Sequence, residues 1–198
     1  MINYLMVIIC YFIGNISFSY LLTKIKIKKD IRNFGSGNAG TTNVLRVLGK
    51  KYAILVLIGD ALKGMIPIVL AQVFISNETF IALCGLAVIL GHNWPVFMNF
   101  RGGKGIATSI GVFVIYDPII ALICVSIGVI IIIISKYVSL GSIMGMAILP
   151  IAAIFLSRNR EELILTVLVS VISIYKHRSN IMRLIKGNEN KLMLNRKV

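Results

Sequence analysis

Residues 118–134 read PIIALICVSIGVIIIII, seventeen positions with no charge and a single hydroxyl, Ser126. A helix on the surface of a soluble protein would carry a polar stripe with a period near 3.6, and this run has none. It does not alternate with period two either, so it is not a strand of a membrane barrel. Its length falls within the roughly 17–25 residues a helix needs to cross a hydrocarbon core. Working outward, comparable runs occupy 1–22, 52–75, 79–97 and 138–156, while two shorter ones, 106–116 and 163–175, are ambiguous by length alone. The whole chain agrees with this reading. Of 198 residues, 58% are hydrophobic and 14% charged, with a mean hydropathy of +0.91. Soluble domains are about 45–50% apolar and about 25% charged. The expected fold class is therefore all-α, a polytopic membrane helix bundle of about seven spans forming one domain over 1–198.

Several function classes fall away on the same numbers. A net charge of +14 suits nucleic acid or a membrane surface, but nucleic-acid binders do not carry runs such as Ile127–Ile134. Cys10, Cys84 and Cys124 are scattered singly through apolar stretches, which gives neither a disulfide framework nor a metal pair. The first run has no Lys or Arg before Lys24 and no small-residue cleavage pattern, so it reads as a first helix and not as a leader.

Charge placement resolves the two short runs. If all seven cross with the N-terminus outside, the inner segments 23–51, 98–105, 135–137 and 176–198 hold 18 Lys and Arg against two acids, Asp30 and Glu189. The outer segments hold Glu78, Asp117, Glu161 and Glu162 with only Arg158 and Arg160. Such a bias marks the inner side. The topology expected is N-out and C-in in a cytoplasmic membrane, with 106–116 either a short span or a re-entrant piece.

The polar chemistry gathers on that inner side. FGSGNAGTTNVLR, Phe34–Arg46, has glycines at 35, 37 and 40 that permit backbone N–H groups to converge on an anion. Ser36, Asn38, Thr41, Thr42 and Asn43 add donors, and Arg46 adds a fork that grips phosphate. The alternative is a flexible connector whose cations serve only topology. GHNWPVFMNFRGGKGIAT, Gly91–Thr108, places Lys104 between Gly103 and Gly105 at the start of a helix, where backbone donors already favour anions. Trp94 suits the interfacial aromatic belt, and His92 could be a satisfied structural residue. Ser139, Gly141 and Ser142 either donate to a ligand or pack helices. His177 and Asn180 lie three apart, on one face of a helical tail that also holds Arg178 and Arg183, and that tail could serve as a lipid anchor. Asp60 and Lys63, one turn apart inside the second run, read as a local ion pair that orients other residues.

Two histidines and no inner carboxylate cluster argue against a metal centre, and the scarcity of inner acids argues against a Ser-His-Asp system. The HxxxxD acyltransferase motif is absent. Basic, Gly-flanked clusters on one side suit an enzyme that joins a phosphorylated water-soluble substrate to a lipid-soluble one. The alternative is a transporter of an organic phosphate or other anion with Asp60 and Lys63 in its pathway.

Taken together and in order, GSGNAGTTNVLR, GDALKGMIP (Gly59–Pro67), GHNWPVF, RGGKGIAT, SLGSI and HRSNIMRLIKGNENK resemble the bacterial glycerol-3-phosphate acyltransferases that use acyl phosphate, the PlsY family. The resemblance covers nearly the whole chain. One departure, Arg101 where the family often has Lys, keeps the charge. The resemblance implies transfer of a fatty acyl group from acyl phosphate to the 1-hydroxyl of sn-glycerol 3-phosphate, without metal or cofactor. It implies catalytic roles for Ser36, Lys104, His177 and Asn180. Gly35, Gly37, Asn38, Asn43, Arg46, Gly103, Gly105 and Ser142 would bind substrate or phosphate. Membrane lipid and a soluble enzyme that produces acyl phosphate would be its partners.

Overall fold

The computed structural model describes residues 1–192. Arg196 and Lys197 of the inner basic tail lie outside the described residues. Among the described residues every regular element is helical. The helices form two compact units, 1–118 and 119 onward.

The first unit contains α1 (Ile2–Gly14), α2 (Phe18–Ile27), α3 (Thr41–Leu48), α4 (Lys50–Phe74), α5 (Glu78–Asn93) and α6 (Ile106–Tyr116). Short 3-10 turns at Ile31–Asn33 and Val96–Met98 interrupt its two long loops. The run 1–22, expected as one helix, is broken instead. Helix α1 stops at Gly14, and Ser17 caps α2 by accepting the Tyr20 N–H at 3.3 Å. The break frees carbonyls within an apolar stretch, where an unsatisfied group is costly. The Lys63 ammonium reaches across from α4 and donates to Gly14 O at 3.2 Å and Ile16 O at 2.5 Å. Asn15 completes the repair, donating to Tyr11 O at 2.7 Å and accepting the Val96 N–H at 2.5 Å. Hydropathy averaged over a window cannot see such a break, because two polar groups from elsewhere in the chain, the Lys63 ammonium and the Val96 N–H, help hold it open.

Close backbone contact holds the long helices together. A Cβ on Gly14 would strike α5 at Val88 O, and one on Gly91 would strike α1 at Tyr11 O. Likewise Gly64 of α4 lies against Thr108 O, and Gly111 of α6 against Ala61 O. Lipid tails are as apolar as leucine, so membrane helices associate through tight packing of this kind.

The second unit contains α7 (Pro118–Ser135), α8 (Val138–Leu156), α9 (Arg160–Lys176) and α10 (Arg178–Ile185). Gly128 and Gly141 bring α7 and α8 together; a Cβ on Gly141 would collide with Gly128 O. Asn159 caps α9 by accepting the Glu162 N–H at 2.8 Å, while the Glu162 carboxylate reaches back to the Arg158 N–H at 2.8 Å. This is a reciprocal capping arrangement.

Five stretches are long and apolar enough to cross a membrane: 2–27, 50–74, 78–98, 118–135 and 138–156. Helix α6, with 11 residues, is about 16 Å long, roughly half the hydrocarbon thickness. The interior mixes apolar and polar side chains, and the surface is rich in large apolar ones. Asp60, Lys63, His92, Asn93, Thr108 and Ser109 are buried, whereas Ile130, Ile133, Ile134 and Phe155 are exposed.

Candidate active site

Both long loops of the first unit, 28–40 and 94–105, rest on one apolar base. Ile31 and Ala39 from the first loop, Val44 from α3, Val56 from α4 and Met98 from the second loop form a buried cluster, with Phe18, Tyr20 and Tyr52 packed around it. Above this base, the side chain of Asn43 organises residues 31–38. Its Oδ1 accepts the Ser36 N–H at 2.9 Å, and its Nδ2 donates to Phe34 O at 2.9 Å, Asn38 O at 3.0 Å and Ile31 O at 3.3 Å. Gly35 has φ +57°, and any Cβ there would overlap Asn43 Oδ1, so the loop can close around the amide only with glycine at that position. Asn43 was expected among the phosphate-binding donors. Its carboxamide is instead spent on the loop's own backbone, and it shapes the loop.

The loop so formed presents Gly35, Ser36 and Gly37 to solvent, with Asn38 half-buried and Arg46 exposed in the last turn of α3. The second loop closes against the first at two points. Arg32 donates to Met98 O at 2.8 Å while its guanidinium holds Asp30 at 2.7 Å. A Cβ on buried Gly103 would meet both the His92 ring and, at 2.9 Å, Ala39 O. Lys104 is half-buried between Gly103 and Gly105. Gly105, at φ +82°, begins α6, and its carbonyl accepts the Ser109 N–H at 2.7 Å. The structure thus unites two clusters that lie about sixty residues apart in sequence.

Beneath them, Lys63 and Asp60 form a buried ion pair at 2.9 Å, and His92 Nδ1 lies 3.7 Å from the same carboxylate. The Arg32 fork hydrogen-bonded to Asp30, together with its charge, holds that carboxyl below its ordinary range.

In the second unit, His177 is buried at the junction of α9 and α10, with Nδ1 2.8 Å from Ser173 O. A carbonyl only accepts, so Nδ1 carries the proton and Nε2 is the basic nitrogen of the neutral ring. Asn180 is buried and donates to Glu189 Oε1 at 3.0 Å, while Arg183 Nε donates to Glu189 Oε2 at 2.7 Å. The chain after α10 returns to the α7–α8 turn, where the Leu192 N–H meets Lys136 O at 2.7 Å. Ser139 is buried in the first turn of α8, and Ser142, at the start of the second turn, is half-buried. Asp30, Arg32 and Glu189 went unassigned in the sequence. Their signal was scarcity: Asp30 and Glu189 are two of only seven acids in the sequence, and each holds an arginine.

A glycerol-3-phosphate acyltransferase family model matches residues 4–187. The chain belongs to this family. A glycerol-3-phosphate acyltransferase of Alkaliphilus metalliredigens is 50% identical over 192 residues, covering 97% of each chain. One from Thermoanaerobacter pseudethanolicus is 49% identical over 185 residues, covering 93% of each. Among solved structures, the glycerol 3-phosphate form of PlsY (YgiH), an integral membrane glycerol 3-phosphate acyltransferase, superposes with a TM-score of 0.92 at 38% identity, covering 96% of each chain. Its lysophosphatidic acid form gives 0.90 at 36% identity, covering 98% of this chain and 97% of that one. The protein is a multi-pass membrane acyltransferase, and the transporter alternative drops out.

Proposed function

We propose that this acyltransferase moves a fatty acyl group from acyl phosphate to the 1-hydroxyl of sn-glycerol 3-phosphate, releasing lysophosphatidic acid and inorganic phosphate. The observation that carries the reading is the joining of the Ser36 and Lys104 loops over one base, in a chain of this family. Ser36, Lys104 and Arg46 hold phosphate, with Gly35, Gly37, Asn38, Gly103 and Gly105 bringing backbone close. Asn43 keeps the first loop in shape. His177 and Asn180 orient the attacking hydroxyl, and Ser142 contributes a donor.

The hydroxyl oxygen attacks the acyl carbonyl, the carbonyl–phosphate C–O bond breaks, and phosphate leaves with the electron pair. The hydroxyl proton passes to His177 Nε2 or to a phosphate oxygen of the donor. Acyl phosphate is already activated, so neither a metal, a cofactor nor an enzyme nucleophile is needed. Positioning and charge stabilisation suffice. Seven spans with the N-terminus outside put this chemistry on the cytoplasmic face of a bacterial cell membrane, beside a soluble enzyme that makes acyl phosphate. The positive-inside bias supports that orientation.

The donor separates this reading from its neighbours. Purified protein is incubated with glycerol 3-phosphate and either palmitoyl phosphate or palmitoyl-CoA, and the lipids are analysed. Turnover with palmitoyl phosphate far above that with the thioester is expected. Equal rates would contradict the donor assignment.

A further inference from the structure

We propose that Asp60, Lys63 and His92 form a buried positioning network that sets the Gly103–Lys104–Gly105 loop and thereby the affinity for glycerol 3-phosphate. The inference rests on the functional reading above and names residues that reading does not use.

Ionised side chains inside an apolar helix are costly, and a buried pair is often replaceable by apolar residues with no loss of stability. Its position here has a geometric consequence. Lys63 is fixed from three directions, by Gly14 O, Ile16 O and Asp60 Oδ1. With the ammonium pinned, the Asp60 carboxylate is held facing His92 Nδ1. His92 in turn touches the second loop through both its backbone and its ring. Its carbonyl accepts the Gly103 N–H at 3.1 Å, and its Nε2 edge occupies the space a Cβ on Gly103 would need. The next residue repeats the arrangement, with Asn93 Oδ1 only 2.9 Å from where a Gly105 Cβ would sit. Lys104 is therefore suspended between two glycines, each seated on one of two consecutive residues at the end of α5. Rotation of the His92 ring would move the Gly103 seat, and Lys104 with it. The same ammonium holds the α1–α2 break open, and Asn15 in that break binds Val96 of the second loop, so both ends of the loop are tied to it.

A pair that only satisfied buried charge would affect stability and all kinetic parameters together. A positioning network should act selectively on glycerol 3-phosphate. His92→Phe keeps a ring against Gly103 but removes the nitrogen facing Asp60. We expect the KM for glycerol 3-phosphate to rise about tenfold, with kcat within about threefold and the KM for palmitoyl phosphate unchanged. Asp60→Asn, which can still contact Lys63, should give the same selective loss, and the double variant should lose little more than either alone. Asp60→Asn also provides the test if His92→Phe does not fold. An unchanged KM for glycerol 3-phosphate in a folded variant, or a fall in kcat with both KM values raised together, overturns the network. Absence of glycerol 3-phosphate-dependent transfer in the unaltered protein would instead overturn the functional reading.

Discussion

Arg46 sits in the last turn of α3, the helix that follows the first loop, and Lys104 lies between Gly103 and Gly105 on the second loop. A hydrogen bond involving an ionised group is worth about 1.5–3 kcal/mol. Replacing either residue by Ala should therefore lower kcat/KM by roughly 10- to 150-fold, since about 1.4 kcal/mol is a factor of ten. Lys50→Ala, which removes an exposed charge at the start of α4, is the control and should be mild. Steady-state kinetics of the three variants check this. Losses that match the control would reduce Arg46 and Lys104 to topology signals. Glycine, serine and arginine made these segments candidates for anion binding by composition alone. The job of Asn43 was not legible, since a carboxamide facing a ligand and one facing its own loop look alike until the backbone is placed.

At the scale of elements, most helices could be read from their apolar runs, and the miss at Asn15–Ser17 has a physical cause. The break is stabilised by Lys63 and by a backbone group of the second loop, partners far away in sequence. Gly64 and Gly111 could be seen in the sequence, but not which backbones they admit. Gly64→Leu would force side-chain atoms into Thr108 O and separate α4 from α6. We expect it to cost at least about 1–3 kcal/mol, read as a lower thermal midpoint in detergent. Ile66→Leu, on the exposed side of the same helix, should leave the midpoint nearly unchanged.

The clamp between the loops should respond to acid. The hydrogen bond from Arg32 holds the Asp30 carboxyl below its ordinary unfolded value. A carboxyl with a depressed folded value stabilises the native state above the unfolded value and loses that contribution as pH falls through the folded one. Asp30→Asn should thus have a lower midpoint than the unaltered protein at neutral pH, and the gap should close below the ordinary carboxylate range. A constant gap across that range would show that the ion pair does not carry the effect.

For the whole molecule, the class came from arithmetic: high hydropathy pointed to a membrane helix bundle, and the bias of basic residues is the basis of the proposed orientation. The division into two compact units left no trace in composition, because no polar linker separates residues 118 and 119. The central claim is that this membrane protein catalyses acyl transfer and does not move its substrate across the bilayer. The most direct measurement uses sealed proteoliposomes supplied with palmitoyl phosphate and radiolabelled glycerol 3-phosphate, with labelled lipid and trapped aqueous label counted in the same sample. We expect lysophosphatidic acid and inorganic phosphate to form in equal amounts while trapped glycerol 3-phosphate stays at the level of protein-free vesicles. Accumulation of glycerol 3-phosphate in the lumen without labelled lipid would contradict the account.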